Sequence, residues 1–344
     1  MSATSIPAPV VSIVIVNYNG DDYLTTCLHS VLKTTSPRFE IILVDNASSD
    51  GSMDSAERMF GNDPRITFLK NEVNLGFSSG NNVGFAKSKG EYVVFLNNDV
   101  IVQPDWLIEL VRPLQEDQTI GAAQSKLLLL RDRGRLDSAG DFIDTLGFPF
   151  SRGQGEIDTG RYDDDWEIFS ARGAAMIVKR DVFADVGGFD SLLFMRGEDL
   201  DLSWRIRLRG YRIALASRSI VYHASGIASS KLSPSFMASQ SARGYLLMTT
   251  KNYSDRNLVR RNPIIILIAS IVIDVLIRTD ASIVRAKTVA LLWYILKFRA
   301  IYRKRQGIQV RLRKINDQVL MVAFQRSSIT EKFRAALKAN RPPS

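Results

Sequence analysis

This chain of 344 residues has one cysteine, two histidines and no apolar run long enough to cross a bilayer. Each scarcity excludes something. Cys27 cannot form an internal disulfide, which points to a reducing, intracellular setting, and its place in an apolar-periodic stretch makes it an inert core residue. Cys27, His29 and His223 are too few for a Cys/His zinc site. Met1 to Pro9 has no basic segment followed by an apolar one, so nothing there directs secretion, and Pro7 and Pro9 make residues 1–9 a mobile lead-in. No nucleic-acid motif is present, and nucleic acid is not an expected partner.

Charge is present but unevenly placed. Residues 251–344 hold 20 Lys and Arg against 5 Asp and Glu, while residues 1–250 hold 25 against 31. An acidic-to-neutral body therefore carries a basic tail. Two greasy segments are mixed into that tail, Pro263–Ile273 and Thr288–Phe298. A spanning helix needs about 20 apolar residues, so neither crosses a membrane alone. Trp293 and Tyr294 suit an interface, and the flanking cations suit anionic headgroups. The expectation is a helical region over 237–344 whose residues 251–344 meet a membrane surface; the competing reading is that these helices pack on one another or form a homo-oligomer interface. The protein is accordingly expected in the cytoplasm, peripheral on the inner face of the plasma membrane.

Within the first 130 residues, short β-branched runs alternate with helix-compatible stretches. Val10–Val16, Glu40–Val44, Ile66–Leu69 and Tyr92–Leu96 read as buried strands, and 21–33, 51–60, 77–89 and 104–115 as helices. Such alternation predicts an α/β fold, a mostly parallel twisted sheet with helices on both faces. Residues 131–172, rich in Gly, Asp and Arg, read as loops over the sheet. Gly173–Lys179 reads as a further strand and Asp181–Val186 as a short helix. Glu198–Gly210 alternates like a strand, but its acidic start and terminal glycine favour a helix. Tyr211–Ala216 then returns to strand.

Ligands of such sheets bind beyond the carboxyl ends of the strands. Here each of the first four strands runs into a polar, turn-prone segment: Asn17 to Gly20, Asp45 to Gly51, Asn71 to Gly76, and Asn97-Asn98-Asp99. Any one of them is an ordinary turn. Four on one rim, with carboxylates straight after strands two and four, point to a nucleotide site. A carboxylate at Asp99 can hold Mg2+ or Mn2+ while water and diphosphate oxygens complete the shell, and Asp45 can accept hydrogen bonds from a base or ribose. Glu198, Asp199 and Asp201 lie within four positions and repel one another, so at least one should have a raised pKa or a cationic partner. A general base taking a hydroxyl proton needs such a raised pKa. The plain alternative is an acidic helix start favoured by the macrodipole.

Val11–Asn19, Asp45–Ser52, Asn74 to Phe77 with Asn81, Phe95–Asp99, and Gly187–Asp201 followed by Gly210-Tyr211 and His223 together resemble family 2 glycosyltransferases of the GT-A fold, in particular a rhamnosyltransferase-like branch. The resemblance covers about residues 10–228. It implies a GT-A domain over 10–236, with a nucleotide-binding half at 10–130 and an acceptor and catalytic half at 131–236. It implies inverting transfer from a nucleoside-diphosphate sugar, taken as dTDP-rhamnose, to a lipid-linked saccharide or other cell-envelope glycan precursor. Asn17, Asn19, Asp45, Asn74, Gly76, Asn81, Asn97 and Asn98 would lie around the donor. Asp99 would bind the metal, Asp199 beside Glu198 would act as catalytic base, and His223 would either complete the metal site or be structural. One departure is that Asn97 stands where the family's motif has its first aspartate, which bears on how tightly a metal is held and not on whether one is used.

Rival readings are galactofuranose or glucose from a UDP-sugar in place of rhamnose, a nucleotidyltransferase, and a membrane-attached assembly protein. A nucleotidyltransferase would show a glycine-rich basic phosphate loop after strand one, which Asn17-Tyr18-Asn19-Gly20 is not. A scaffold would have no use for the Glu198-Asp199 pair.

Overall fold

The computed structural model describes residues 11–144, 146–226, 232–277 and 280–322. The expected lead-in at 1–9 lies outside them. The four apolar runs form parallel strands β1 (Val11–Asn17), β2 (Phe39–Asp45), β3 (Ile66–Lys70) and β4 (Tyr92–Asn97). Between and after them lie α1 (Asp21–Leu32), α2 (Ser52–Phe60), α3 (Gly76–Lys87) and α4 (Trp106–Glu116), with ends within two residues of the sequence expectation. Side chains alternate across a strand. Ile13 and Ile15 of β1 therefore pack with Leu24 and Leu28 of α1 and Trp106 of α4. Val14 faces the other way, in one cluster with Phe95, Phe183 and Trp204.

The sheet continues through β5 (Val100–Val102), β6 (Ile120–Leu129), β7 (Asp132–Ser138), β10 (Ala175–Lys179) and β11 (Arg212–His223); β8 (Asp141–Ile143) and β9 (Pro149–Ser151) form a separate hairpin. Strand order is β3-β2-β1-β4-β10-β6-β11-β5, with β7 on β6. β10 runs antiparallel to β4 and β6, and the sheet is otherwise mostly parallel. Two features differ from the sequence expectation. Residues 131–172 contain three short strands, and β6 is a ten-residue strand in the middle of the sheet that the apolar pattern did not announce. Its interior carries Gln124, Ser125 and Lys126, all buried. Each is matched by a distant partner: Gln124 Oε1 accepts from Arg172 N at 2.7 Å, Ser125 meets Ser219, and Lys126 pairs with Asp158 and Asp163.

Two helices follow β10: α5 (Arg180–Asp185) and α6 (Glu198–Leu208). The alternating segment is thus helical, and it alternated because α6 is buried on all sides. The remaining chain forms α7 (Pro234–Asn252), α8 (Asp255–Arg260), α9 (Pro263–Leu276), α10 (Ala281–Gln306), a π-helical turn (Gly307–Leu312) and α11 (Asp317–Val322). Among the described residues no helix is long and apolar enough to cross a membrane. Helices α7, α9 and α10 share a core of Leu246, Leu267, Ala290, Tyr294 and Ile301 that reaches Leu193. Charge ties this region to α6 and the loop before it: buried Lys251 of α7 pairs with Asp190 and with Asp201 at 3.0 Å, while buried Arg305 of α10 donates to the Thr250 carbonyl of α7 at 2.6 Å.

Candidate active site

Parallel pairing brings the ends of β1, β2 and β4 level. Asn17 stands opposite Asp45, and Val16 opposite Asn97. The side-chain amide of buried Asn17 donates to Asp45 Oδ1 at 3.0 Å, Ser48 Oγ at 3.0 Å and Ser52 Oγ at 2.9 Å, and its Oδ1 accepts from Asn98 Nδ2 at 2.8 Å. Asn19, in the left-handed region at φ 52°, accepts from Ser49 N at 2.9 Å. Asp45 accepts from Ser48 N and Oγ at 3.0 and 2.6 Å. Asn74 Oδ1 caps Gly76 N at 2.9 Å, and Gly76 takes φ 76° where a Cβ would meet the Phe194 carbonyl at 2.4 Å. Asn81 is turned inward, its Nδ2 donating to Phe77 O of its own helix at 2.9 Å. This rim is a network of neutral amides and hydroxyls with two carboxylates, Asp45 and Asp50, the latter accepting from Ser52 Oγ at 2.6 Å. Ser48 and Ser52 belong to it although sequence reasoning named no role for either; their signal was the polar segment after β2.

Beside the rim lies a cavity of about 900 Å³. Its lining includes Asn97, Asp141, Arg172, Glu198, Asp199 and His223, together with the apolar side of Ala242, Tyr245, Met248, Ile266 and Leu267. Asn17, Asn19, Asp45, Asn74, Gly76, Asn81 and Asn98 do not line it. Asp99 adjoins it through His223, whose Nε2 is 3.4 Å from Asp99 Oδ1 and 3.3 Å from Asn97 Nδ2. The chain thus brings Asp99, His223, Glu198 and Asp199, distant in sequence, around one space.

Helix α6 presents its acidic start here because Gly197 turns the chain at φ 91°. The three carboxylates then separate by environment. Asp201 is fully buried and paired with Arg205 at 2.9 Å, Lys251 and Asn252 Nδ2 at 2.9 Å, so it is structural. Glu198 is buried with Oε2 lacking a hydrogen-bond partner; desolvation, then the charge of Asp199, pushes its pKa up to about 8. Asp199 is also raised, by desolvation and the nearby charge of Asp141, although Gly173 N at 3.2 Å and Leu200 N at 2.7 Å donate to it.

On the opposite wall, His223 Nδ1 meets Asp137 Oδ2 at 2.8 Å. Burial favours the neutral ring, but the hydrogen bonds to Asp137 and Asp99 and their charges win, holding its pKa at about 9. Burial likewise opposes the charge on Asp137, and the bond to His223 with the Arg172 guanidinium outweighs it, so this carboxyl stays below its ordinary range. A ring nitrogen fixed by a carboxylate, leaving the other facing a second carboxylate, is the arrangement that orients metal-binding histidines. Asp99 Oδ1 is buried and faces His223 Nε2 at 3.4 Å. Asp99 and His223 therefore fit a divalent cation. Among the described residues no three such side chains converge, so the other coordination positions would fall to diphosphate oxygens and water.

Residues 12–187 match the family described as Glycosyl transferase family 2. The chain belongs to that family. Among curated relatives of this glycosyltransferase, the O-antigen biosynthesis protein RfbC of Myxococcus xanthus is 32% identical over 223 residues, 62% of this chain and 17% of the relative. The putative teichuronic acid biosynthesis glycosyltransferase TuaG of Bacillus subtilis is 31% identical over 129 residues, 38% of this chain and 51% of the relative. The chain thus spans about a sixth to a half of the length of these relatives. Solved structures agree on the GT-A fold: GalNAc-T7 with UDP, GalNAc and Mn2+ has a TM-score of 0.58 at 19% identity, covering 73% of this chain and 49% of that one. The mannosyltransferase PcManGT of Pyrobaculum calidifontis, in complex with GDP-Man and Mn2+, has 0.53 at 18%, covering 88% and 85%.

Three residues at the candidate site had no part in the sequence argument: Asp137, Asp141 and Arg172. Asp137 and Asp141 sit in the segment read as loops, and Arg172 immediately precedes a predicted strand. A lone arginine before an apolar run was the available signal.

Proposed function

We propose that this glycosyltransferase moves a sugar from a nucleoside-diphosphate donor onto a hydroxyl of a membrane lipid-linked saccharide or related cell-envelope glycan precursor, with inversion and with a divalent metal. The observation that carries the reading is that His223, which faces Asp99 at 3.4 Å, and Asp199 line a single cavity. Asp199 takes the acceptor hydroxyl proton as that oxygen forms a bond to the anomeric carbon. The bond from that carbon to the diphosphate breaks, and its electron pair leaves on the diphosphate oxygen. One displacement inverts the centre, and no covalent sugar-enzyme intermediate is needed. Asp99 and His223 would hold Mg2+ or Mn2+, which would neutralise charge developing on the departing diphosphate. Mn2+ is present in the structures of two fold neighbours, which supports the metal. Asn17, Asn19, Asp45, Asn74, Gly76, Asn97 and Asn98 form the donor side. Asn81, bonded into its own helix, shapes that side from behind. Glu198 keeps the dielectric and charge around Asp199 suited to proton uptake.

The donor we favour is dTDP-rhamnose; the alternative is a UDP-sugar such as galactofuranose or glucose. The apolar residues in the cavity wall, Ala242, Met248, Ile266 and Leu267, support an acceptor with an apolar portion. A helix of that wall, α9, has a second face: Ile265, Ile268, Val272 and Leu276 are exposed, as are Leu292, Ile295 and Leu296 of α10, with Lys297, Arg299 and Arg303 nearby. An exposed apolar band beside cations suits an anionic bilayer surface, so residues 251–344 rest on the membrane in this reading. The test is incubation of purified protein with dTDP- and UDP-sugars, Mn2+ and membrane lipid extract, with product mass recorded. A lipid gaining one deoxyhexose is expected from dTDP-rhamnose; no transfer from any donor would overturn the proposal. Flotation with anionic vesicles checks the docking face. Ile268→Asp with Leu296→Asp should release the protein, whereas deletion from 251 would also break the buried Lys251 and Arg305 ties and is the poorer test.

A further inference from the structure

The two walls of the cavity are joined by one side chain. Arg172 precedes β10, and its backbone is pinned by Gln124 Oε1. Its guanidinium donates from Nε and Nη2 to the two oxygens of Asp141, both at 3.0 Å, and from Nη1 to Asp137 Oδ2 at 3.0 Å. Nη2 also meets Ser151 Oγ. The Asp137 oxygen it holds is the one that meets His223 Nδ1. The next residue, Gly173, gives its N–H to Asp199. Arg172 thus touches the carboxylate that orients His223, and the carboxylate whose charge bears on Asp199.

We propose that Arg172 is a positioning residue for both ends of the reaction: it locks Asp137 so that His223 presents Nε2 beside Asp99, and it screens Asp199 from Asp141. The inference rests on Asp199 as base and on Asp99 with His223 as the metal pair. The charges that face Asp199 are Arg172, Asp141 and Glu198, and Glu198 in turn lies near Arg196 and Asp201. Arg172 is the cation that lowers the pKa of Asp199; desolvation and Asp141 raise it. The guanidinium itself cannot lose its proton: burial opposes the charge, but Asp141 and Asp137 hold its pKa far up. A planar fork engaging two carboxylates at once is a geometry that lysine cannot copy.

The experiment pairs Arg172→Met, Arg172→Lys and the double variant Arg172→Met with Asp141→Asn. Two quantities are measured: the pH dependence of turnover, with donor hydrolysis as the acceptor-free assay, and Mn2+ binding followed without substrate by electron paramagnetic resonance. Activity should rise with pH as Asp199 ionises. Removing the cation raises the pKa of Asp199, so in Arg172→Met the acid limb should move up by about one pH unit. Mn2+ affinity should fall about tenfold or more as Asp137 loses its lock. Adding Asp141→Asn removes the charge that Arg172 screened, so the acid limb should return toward that of the parent while Mn2+ affinity stays low. Arg172→Lys should keep the acid limb and lose Mn2+ affinity. An unmoved acid limb in Arg172→Met, or no return in the double variant, overturns the proposal; so does parental Mn2+ affinity in Arg172→Lys. Asp199→Asn is run in parallel: if it keeps parental turnover, the base assignment itself fails, an outcome distinct from loss of activity there with an unmoved limb in Arg172→Met.

Discussion

The polar rim and the cavity lie side by side at the same end of the sheet, yet they are built from opposite materials. At the rim, Asn17 is buried among Asp45, Ser48, Ser52 and Asn98, with its donors and acceptor matched inside the protein. In the cavity, Glu198 Oε2 is buried with no hydrogen-bond partner, and Glu198 and Asp199 both resist ionisation. Unmatched buried polar atoms cost stability. A binding surface for a flexible nucleotide gains from rigid, satisfied groups, because fewer side chains need ordering when the ligand arrives. A reacting centre instead needs groups whose charge changes easily or awaits a partner. Substitutions in the two regions should therefore separate stability from turnover.

The largest expected effect lies in the cavity. Asp199→Asn should lower turnover by about 10²–10⁴-fold while leaving donor binding nearly intact. Steady-state kinetics with a separate donor-binding measurement checks this, and parental turnover removes Asp199 from the role of base. Next, Asp99→Ala should weaken metal-dependent donor binding by about tenfold or more. Calorimetric titration of the donor with and without Mn2+ reads the difference, and an unchanged metal response counts against Asp99. The smallest effects are on stability and should have opposite signs. Asn17→Ala strands several buried partners and should cost about 1–3 kcal/mol, seen as a lower Tm.

Glu198→Gln should do the reverse, raising Tm by a few degrees above about pH 5. The folded pKa of Glu198, about 8, exceeds the ordinary 4.5. The folded protein therefore binds the proton more tightly than the unfolded chain. This carboxyl's contribution to stability is full at low pH and is lost as pH rises from about 4.5 through 8. Glutamine should remove that dependence, so the gain in Tm should grow across the same interval. A Tm difference that does not change with pH would mean that Glu198 is not the strained group.

Much of the first half was legible before any coordinates. Strands β1, β2 and β4 show mostly apolar, β-branched runs because both faces of that part of the sheet are covered, whereas edge strand β3 is half-exposed; their polar ends fall together because parallel strands share a direction. Strand β6 was hidden for the opposite reason. Its middle residues are polar and become acceptable in the interior only through Arg172, Ser219, Asp158 and Asp163, and nothing local announces those pairings. The acidic start of α6 showed that some carboxylate must be strained or paired. Which one is paired was decided by Lys251 and Arg205, the former fifty positions away.

The sequence by itself determined the alternating α/β order, the polar loops after the first four strands and the basic, apolar tail, because these follow from local periodicity and residue type. Tertiary structure alone decided the roles within the site. Asp201 became structural and Asp199 exposed to the cavity, and His223 was turned by Asp137 toward Asp99. Arg172 came to touch both walls. Burial and charge act through space, and distances between residues far apart in the chain exist only once it has folded.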